Sequence, residues 1–128
     1  MLRQLRVTTP LAIPVLLLAC GIPTVGGGSI PDDIPGWLSR EIQSAREAPV
    51  TNPPAAFWSA TFRNEVVYGR TSECCDAFTY IRSASGQVIC APSGGISGQG
   101  DGRCPDYHSA ASNEQLIWRD ARSWPSGR

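Results

Sequence analysis

Four cysteines in the second half of the chain are the residues whose type and spacing most suggest chemistry. Cys74 and Cys75 are adjacent, and Cys90 and Cys104 flank a glycine-rich segment. An even number of cysteines in a small exported domain predicts a disulfide framework. A bond between adjacent cysteines closes a strained eight-membered ring, so two pairings remain: Cys74 with Cys90 and Cys75 with Cys104, or the reverse. Zinc sites need spacings such as Cys-x-x-Cys with histidine partners, so we expect neither a metal nor a cofactor.

The segment between Cys90 and Cys104 carries five glycines from Gly94 to Gly102. It lacks the lysine of a phosphate-binding loop, and its acidic residues do not have the spacing of an EF-hand. Such glycine density predicts a tight loop with unusual backbone angles. Loops held by a rigid scaffold often carry recognition, so we predict a binding surface here. Its residues are Gly100, Asp101, Arg103, Asp106, Tyr107 and His108.

Acid–base or nucleophilic chemistry has one candidate, the single histidine, His108, beside Asp106. The Gly-x-Ser-x-Gly motif of serine hydrolases is absent, although Ser97 lies in a similar context. Nothing singles out a pair of carboxylates for glycoside hydrolysis. We therefore assign no catalytic residue and favour a non-enzymatic function. A small thiol-dependent or hydrolytic enzyme that uses the cysteines or His108 is the alternative.

The N-terminal residues predict export and a lipid anchor. Met1 to Arg6 is cationic, and the apolar run from Leu11 to Ala19 is too short to span a bilayer of about 30 Å. Both features are typical of a signal peptide. The sequence Leu17-Leu18-Ala19-Cys20-Gly21 resembles the bacterial lipobox, in which the cysteine is acylated and becomes the new N-terminus. An ordinary secretory signal is the alternative, and lipidation of Cys20 is the prediction.

The predicted organisation is a signal peptide at 1–19, a lipid-anchored flexible tether at 20–33 and a single domain at 34–124. We expect a location in the bacterial cell envelope, with acyl chains providing the membrane attachment. By resemblance to lipoproteins of bacteria with two membranes, glycine rather than aspartate after the cysteine implies release to the outer membrane. Removal of the signal leaves nine arginines and eleven acidic residues, a net charge of −2. Nucleic acid requires a basic face, so it is not an expected partner.

Hydrophobic periodicity predicts an α+β domain in which an N-terminal helix packs on a small antiparallel sheet of about four strands, stapled by disulfides. The helix runs from Pro35 to Ala48, with capping oxygens from Asp32 and Asp33. Its apolar face, at helical spacing, consists of Ile34, Leu38, Ile42 and Ala45, with Trp37 beside them. Two hairpins follow, and Gly86 supplies the positive φ that the second turn needs. The strands are Ala56–Phe62, Val66–Gly69, Phe78–Arg82 and Gln87–Cys90. Alternating residue types along the first strand predict that its even-numbered and odd-numbered side chains lie on opposite faces. Residues 113–118 are expected to form a short helical turn, with Leu116, Ile117 and Trp118 docking on the sheet.

Five motifs together resemble a family of small bacterial lipoproteins known only as a domain of unknown function. They are Pro49–Ala55, Cys74-Cys75-Asp76, Cys90-Ala91-Pro92-x-Gly94-Gly95, Gly98-x-Gly100-Asp101-Gly102-x-Cys104-Pro105-Asp106 and Leu116-Ile117-Trp118-x-Asp120-x-Arg122. The resemblance spans Ile34 to Arg122 and implies a lipid-anchored envelope domain with no established activity. The predicted disulfides, the tether and the lack of a catalytic constellation lead us to expect a domain that binds an envelope protein or a surface polymer. A purely structural spacer is a further alternative.

Overall fold

The structure, a computed structural model, describes residues 28–122. Its core is a five-stranded antiparallel sheet with the order β4-β3-β2-β1-β5. The α+β class is confirmed, and the sheet has five strands rather than about four. The elements are α1 Gly36–Glu47, β1 Ala56–Phe62, β2 Glu65–Arg70, β3 Thr79–Arg82, β4 Val88–Ser93, α2 Tyr107–Ala110 and β5 Ser112–Arg119.

Strands β1 to β4 are neighbours in both sequence and space, as the two predicted hairpins require. The first turn uses Arg63 and Asn64, whose φ angles of 51° and 63° are those of a tight two-residue hairpin turn. Asparagine tolerates this left-handed conformation better than most residues, so the turn forms without glycine. In the second turn Gly86 has a φ of 87°, and its N–H donates to the carbonyl of Ser83 at 2.9 Å. Both hairpins are confirmed.

The helical turn expected at residues 113–118 is wrong, because this segment lies in strand β5. Strand β5 pairs with β1, and Trp118 lies opposite Phe57. A shift in register next to Phe57 then places Leu116 opposite Trp58. Trp118 is 4% exposed and joins the core, and Ile117 packs against the same layer, whereas Leu116 is 58% exposed and does not dock as expected. The unpaired edge of β1 decides the conformation of this segment, and local sequence does not report that edge.

Each face of the sheet has its own apolar layer. The α1 face contains Leu38, Ile42, Ala45, Ala55, Phe57 and Trp118. The opposite face contains Ala60, Phe62, Val67, Ile81, Cys90, Cys104 and Tyr107. The predicted alternation along β1 is confirmed, since Phe57 points to one layer while Ala60 and Phe62 point to the other. Residues 94–111 therefore cover the apolar layer on one face of the sheet, as α1 covers the layer on the other face.

Helix α1 begins at Gly36, one residue later than predicted. Its N-cap is Pro35, and no side chain caps the helix, so the expected capping by Asp32 or Asp33 is wrong. The carbonyl of Pro35 accepts hydrogen bonds from the N–H groups of Leu38 and Ser39 at 2.9 and 3.1 Å. Proline sets a backbone φ that suits a helix start, which explains how α1 begins without a side-chain cap.

All four cysteines of the domain form disulfides, but the expected pairing is wrong. The bonds join Cys74 to Cys75 and Cys90 to Cys104. Cys90, on β4, and Cys104 are each 1% exposed and meet in the layer opposite α1. Cys74 and Cys75 are exposed in the connection between β2 and β3. The two pairs thus lie in different environments, and the buried pair fastens residues 94–104 to the sheet.

The predicted signal peptide and the lipidated Cys20 lie outside the described residues, as does the end of the predicted domain beyond residue 122. Within residues 28–122, no helix is long and apolar enough to cross a membrane. The described end of the predicted tether contacts the domain, since Ile30 packs against the layer under α1.

Candidate binding groove

A groove of about 220 Å³ lies between α1 and the sheet surface formed by β1, β2 and β3. Its end is closed by residues 71–78, which connect β2 to β3 and which we call the cysteine loop. We call it the aromatic groove because its lining includes the aromatic side chains of Trp37, Phe57, Tyr68, Phe78 and Tyr80. A concave surface with several aromatic rings and a few polar groups is the usual form of a binding site.

Trp37 is held in a fixed position at the helix end of the groove. Its indole N–H donates to the carbonyl of Ala84 at 2.9 Å, which ties α1 to the turn between β3 and β4. The indole lies edge-on to Tyr68, with ring centroids 6.0 Å apart. It also lies against Gly86, where an added Cβ would be 3.3 Å from the ring. Glycine at 86 therefore serves both the turn and the seating of Trp37.

Two arginines lie on aromatic faces inside the groove. The guanidinium of Arg82 lies 5.5 Å from the centre of the Trp37 ring and forms an ion pair with Glu41 of α1. Both charged side chains of that pair are about one-third exposed, with values of 31% and 32%. Partial burial, the ion pair with Glu41 and the position over the Trp37 ring hold Arg82 in place as part of the groove wall.

Arg70 repeats this arrangement at the other end of the groove. Its guanidinium lies 5.4 Å from the centre of the Phe57 ring and pairs with Glu73 at 2.6 Å. Glu73 belongs to the cysteine loop, so this ion pair attaches the loop to β2. Because each arginine has one carboxylate partner, the four charges of the groove cancel.

The side of the groove facing solvent is formed by Phe78 and Tyr80. These side chains are 37% and 41% exposed, and their rings lie 5.9 Å apart at 54°. Deeper in the groove, burial raises the pKa of the Tyr68 phenol, and Asp33 raises it further. Tyr68 therefore remains a neutral hydroxyl at physiological pH and can donate a hydrogen bond.

A wider cleft of about 480 Å³ lies on the opposite face of the sheet. Trp58, Tyr107, His108, Glu114 and Arg119 line it. The hydroxyl of Tyr107 is buried and forms no regular hydrogen bond with the described part of the chain. Burial raises the pKa of this phenol, a contact with the Trp58 side chain offsets part of the rise, and Glu114 adds to it.

The residues predicted to bind a partner are brought together, but they differ in exposure. Tyr107 is 4% exposed and packs against Phe62 with ring centroids 5.1 Å apart, so its ring belongs to the core. Asp101 accepts hydrogen bonds from the backbone N–H and the Nε–H of Arg103 at 3.0 and 2.7 Å. The backbone bond in particular lowers the pKa of Asp101. These polar groups stabilise their own turn.

The remaining residues of the predicted binding surface are Gly100, Asp106 and His108. Gly100 has a φ of 75°, and a side chain there would overlap the carbonyl oxygen of Ala91. Asp106 pairs with Arg63 at 3.0 Å and not with His108, which is exposed. In residues 28–122, His108 forms no hydrogen bond to a serine or a carboxylate, which are the partners a catalytic triad needs. Within the same residues no group of three or more His, Cys, Asp or Glu side chains could hold a metal ion.

The aromatic groove was missed from the sequence, although one signal for it exists. The pattern Tyr-x-Arg occurs on β2 as Tyr68 and Arg70 and on β3 as Tyr80 and Arg82. Residues two apart on a strand share a face, and antiparallel pairing places Tyr68 opposite Arg82. Two such patterns on adjacent strands therefore predict a surface of alternating aromatic and guanidinium groups. Trp37 joins it only through the packing of α1, which the pattern does not reveal.

Fold and groove define a small disulfide-bonded α+β domain with an aromatic surface between its helix and its sheet. The chain belongs to the family described as a domain of unknown function, DUF6970, whose model matches residues 43–120. This match runs from within α1 to the residue after β5, so it includes all five strands. It confirms the expected membership of a family with no assigned function. Neither the curated proteins nor the solved structures contain a match to the chain.

Proposed function

We propose that this protein is a non-enzymatic binding domain that takes up a segment of a partner polypeptide in the aromatic groove. The observation that carries the proposal is the exposure of Phe78 and Tyr80 beside a fixed tryptophan and two arginines. Aromatic residues and arginine are the side chains that most often dominate the energy of protein interfaces. Trp37, Arg70 and Arg82 are already held by contacts within the domain, so these three side chains lose little entropy on association.

The charge of the groove indicates the kind of partner. Arg70 and Arg82 are each paired with a glutamate, so a strongly anionic polymer gains no unpaired cation. A neutral segment with an aromatic or aliphatic side chain can instead bury that side chain against Phe78 and Tyr80. We therefore favour a protein partner over a charged surface polymer.

We also propose that the domain acts at the bacterial envelope, anchored through Cys20 with residues 20–33 as a tether. The lipobox-like sequence and the short apolar run before it support this part of the proposal. A partner in the same envelope is then held near the groove at a high effective concentration, which allows a weak interaction to operate.

A displayed library of random peptides tests the groove directly. The full-length chain should enrich peptides with low net charge that carry an aromatic or aliphatic residue. Tyr80→Ala should weaken their binding about tenfold or more, since truncating an aromatic hot-spot residue costs about 2 kcal/mol or more and about 1.4 kcal/mol already corresponds to tenfold. Val66→Ala is the matched control, because Val66 is 52% exposed on β2 but does not line the groove.

Circular dichroism must show that both variants keep the fold. If no peptide is enriched, or if Tyr80→Ala and Val66→Ala bind the enriched peptides equally well, the groove is not the binding site.

A further inference from the structure

We propose that the Cys74–Cys75 bond is a thiol–disulfide exchange site, which an external dithiol reduces reversibly while the domain stays folded. Its substrate is a reduced dithiol, such as a partner protein with two neighbouring cysteines. This inference is independent of peptide binding in the aromatic groove. It rests on three features of the cysteine loop. They are the exposure of its two cysteines, their adjacency in the sequence, and the contacts that attach the residues before and after them to the rest of the domain.

Exposure separates the two disulfides of the domain. Cys74 and Cys75 are both exposed, whereas Cys90 and Cys104 are each 1% exposed. Exchange begins when a thiolate approaches one sulfur of the bond, so access to that sulfur governs the rate. An external dithiol can reach the first pair in the folded protein and must wait for an opening of the core to reach the second.

Connectivity indicates that the exposed bond is not needed for the fold. A disulfide stabilises mainly by closing a loop in the unfolded chain, and the effect grows with the length of that loop. The residues of the first pair are adjacent, whereas those of the second are 14 positions apart. Opening the first pair therefore restores very little freedom to the unfolded chain.

The cysteine loop also has attachments that do not involve the sulfurs. Glu73 pairs with Arg70 on β2. The N–H of Ala77 donates to the carbonyl of Cys74 at 2.9 Å, and the N–H of Gly95 donates to the carbonyl of Asp76 at 3.1 Å. These contacts hold residues on both sides of the pair, so the two thiols remain neighbours after reduction and can close again.

The exchange proceeds in two steps. A thiolate of the external dithiol attacks the sulfur of one cysteine, a mixed disulfide forms, and the other cysteine leaves as a thiolate. The second thiol of the reductant then attacks its own sulfur in the mixed disulfide and releases the remaining cysteine. The reductant becomes a disulfide, and Cys74 and Cys75 gain its two electrons and two protons.

Dithiothreitol is the probe for the first test. The full-length chain, isolated oxidised, is treated for one fixed short time with increasing concentrations of dithiothreitol, quenched with acid and alkylated for peptide mapping, with Cys20 scored on its own peptide. Cys74 and Cys75 should become alkylated at a roughly tenfold or more lower reductant concentration than Cys90 and Cys104. Circular dichroism should be unchanged after the first step. Reduction of both pairs together, or loss of the spectrum at the first step, would overturn the proposal.

Re-oxidation supplies the second test. Wild type with only the first pair reduced should re-form the Cys74–Cys75 bond when treated with oxidised glutathione. Cys74→Ser keeps one thiol in the cysteine loop, that of Cys75, and this thiol should instead end as a stable glutathione adduct. A wild-type chain that also ends as an adduct would refute reversible exchange.

Discussion

Replacing the buried disulfide should destabilise the domain far more than replacing the exposed one. The Cys90–Cys104 bond joins residues 14 positions apart, and a loop of about this size corresponds to roughly 3 kcal/mol of stabilisation. The double variant Cys90→Ala/Cys104→Ala should lose at least that amount. Both sulfurs also lie in the layer with Ile81 and Tyr107, so their removal leaves a cavity that adds to the loss.

For a domain of about 100 residues, 1 kcal/mol shifts the melting temperature by about 4–8 °C. The expected shift is therefore about 12–24 °C, measured by thermal melts with circular dichroism. Urea unfolding supplies the free energy of unfolding, and its slope shows whether the unfolded state has also changed.

The matched control is Cys74→Ser/Cys75→Ser, which removes a bond between adjacent, exposed residues. Its free energy of unfolding should fall by less than about 1 kcal/mol. Equal losses in the two double variants would refute the argument from loop size. A loss below about 1 kcal/mol for the buried pair would show that the remaining contacts hold the glycine-rich segment without it.

Two further predictions concern backbone conformation and pH. Gly98 and Gly100 both have positive φ, but only at Gly100 would a Cβ overlap the backbone of Ala91. Gly98→Ala should cost about 1 kcal/mol and Gly100→Ala roughly twice that or more, in urea unfolding; equal costs would contradict the crowding at Gly100. A second prediction concerns Asp120, whose pKa is lowered mainly by side-chain hydrogen bonding from Arg122. The ionised carboxylate therefore stabilises the folded state fully above the unfolded pKa of about 3.9, and this stabilisation is lost as the pH falls through the lower pKa of the folded state. The stability difference between wild type and Asp120→Asn should accordingly be larger at pH 7 than at pH 3, and a difference independent of pH would exclude this role.

Local signals in the sequence predicted the elements that local interactions determine. Alternation from Ala56 to Phe62 predicted a strand whose successive side chains lie on opposite faces, and β1 has that arrangement. Gly86 predicted the second hairpin turn, because a positive φ there is a property of one residue. The apolar spacing of Leu38, Ile42 and Ala45 predicted the buried face of α1. In each case the residues that carry the signal belong to the element that they predict.

Features that depend on distant residues could not be predicted in the same way. The strand conformation of β5 follows from its pairing with β1, and no local pattern between Ser112 and Arg119 identifies β1 as the pairing strand. The disulfide pairing follows from which cysteines face the core, which only the assembled sheet decides. The aromatic groove combines residues of α1, β2 and β3, so its members share no motif in the sequence.

The order of the strands has a consequence for how the chain folds. Strands β1 to β4 can form as successive hairpins, which close short loops and form quickly. Strand β1 pairs on its other side with β5, the last strand in the described part of the chain. Until β5 is synthesised, β1 therefore has an open edge and Phe57 lacks its contact with Trp118. A nascent chain that stops before Ser112 thus presents an unpaired strand to its neighbours, and this is the stage at which intermolecular strand pairing and aggregation compete with folding.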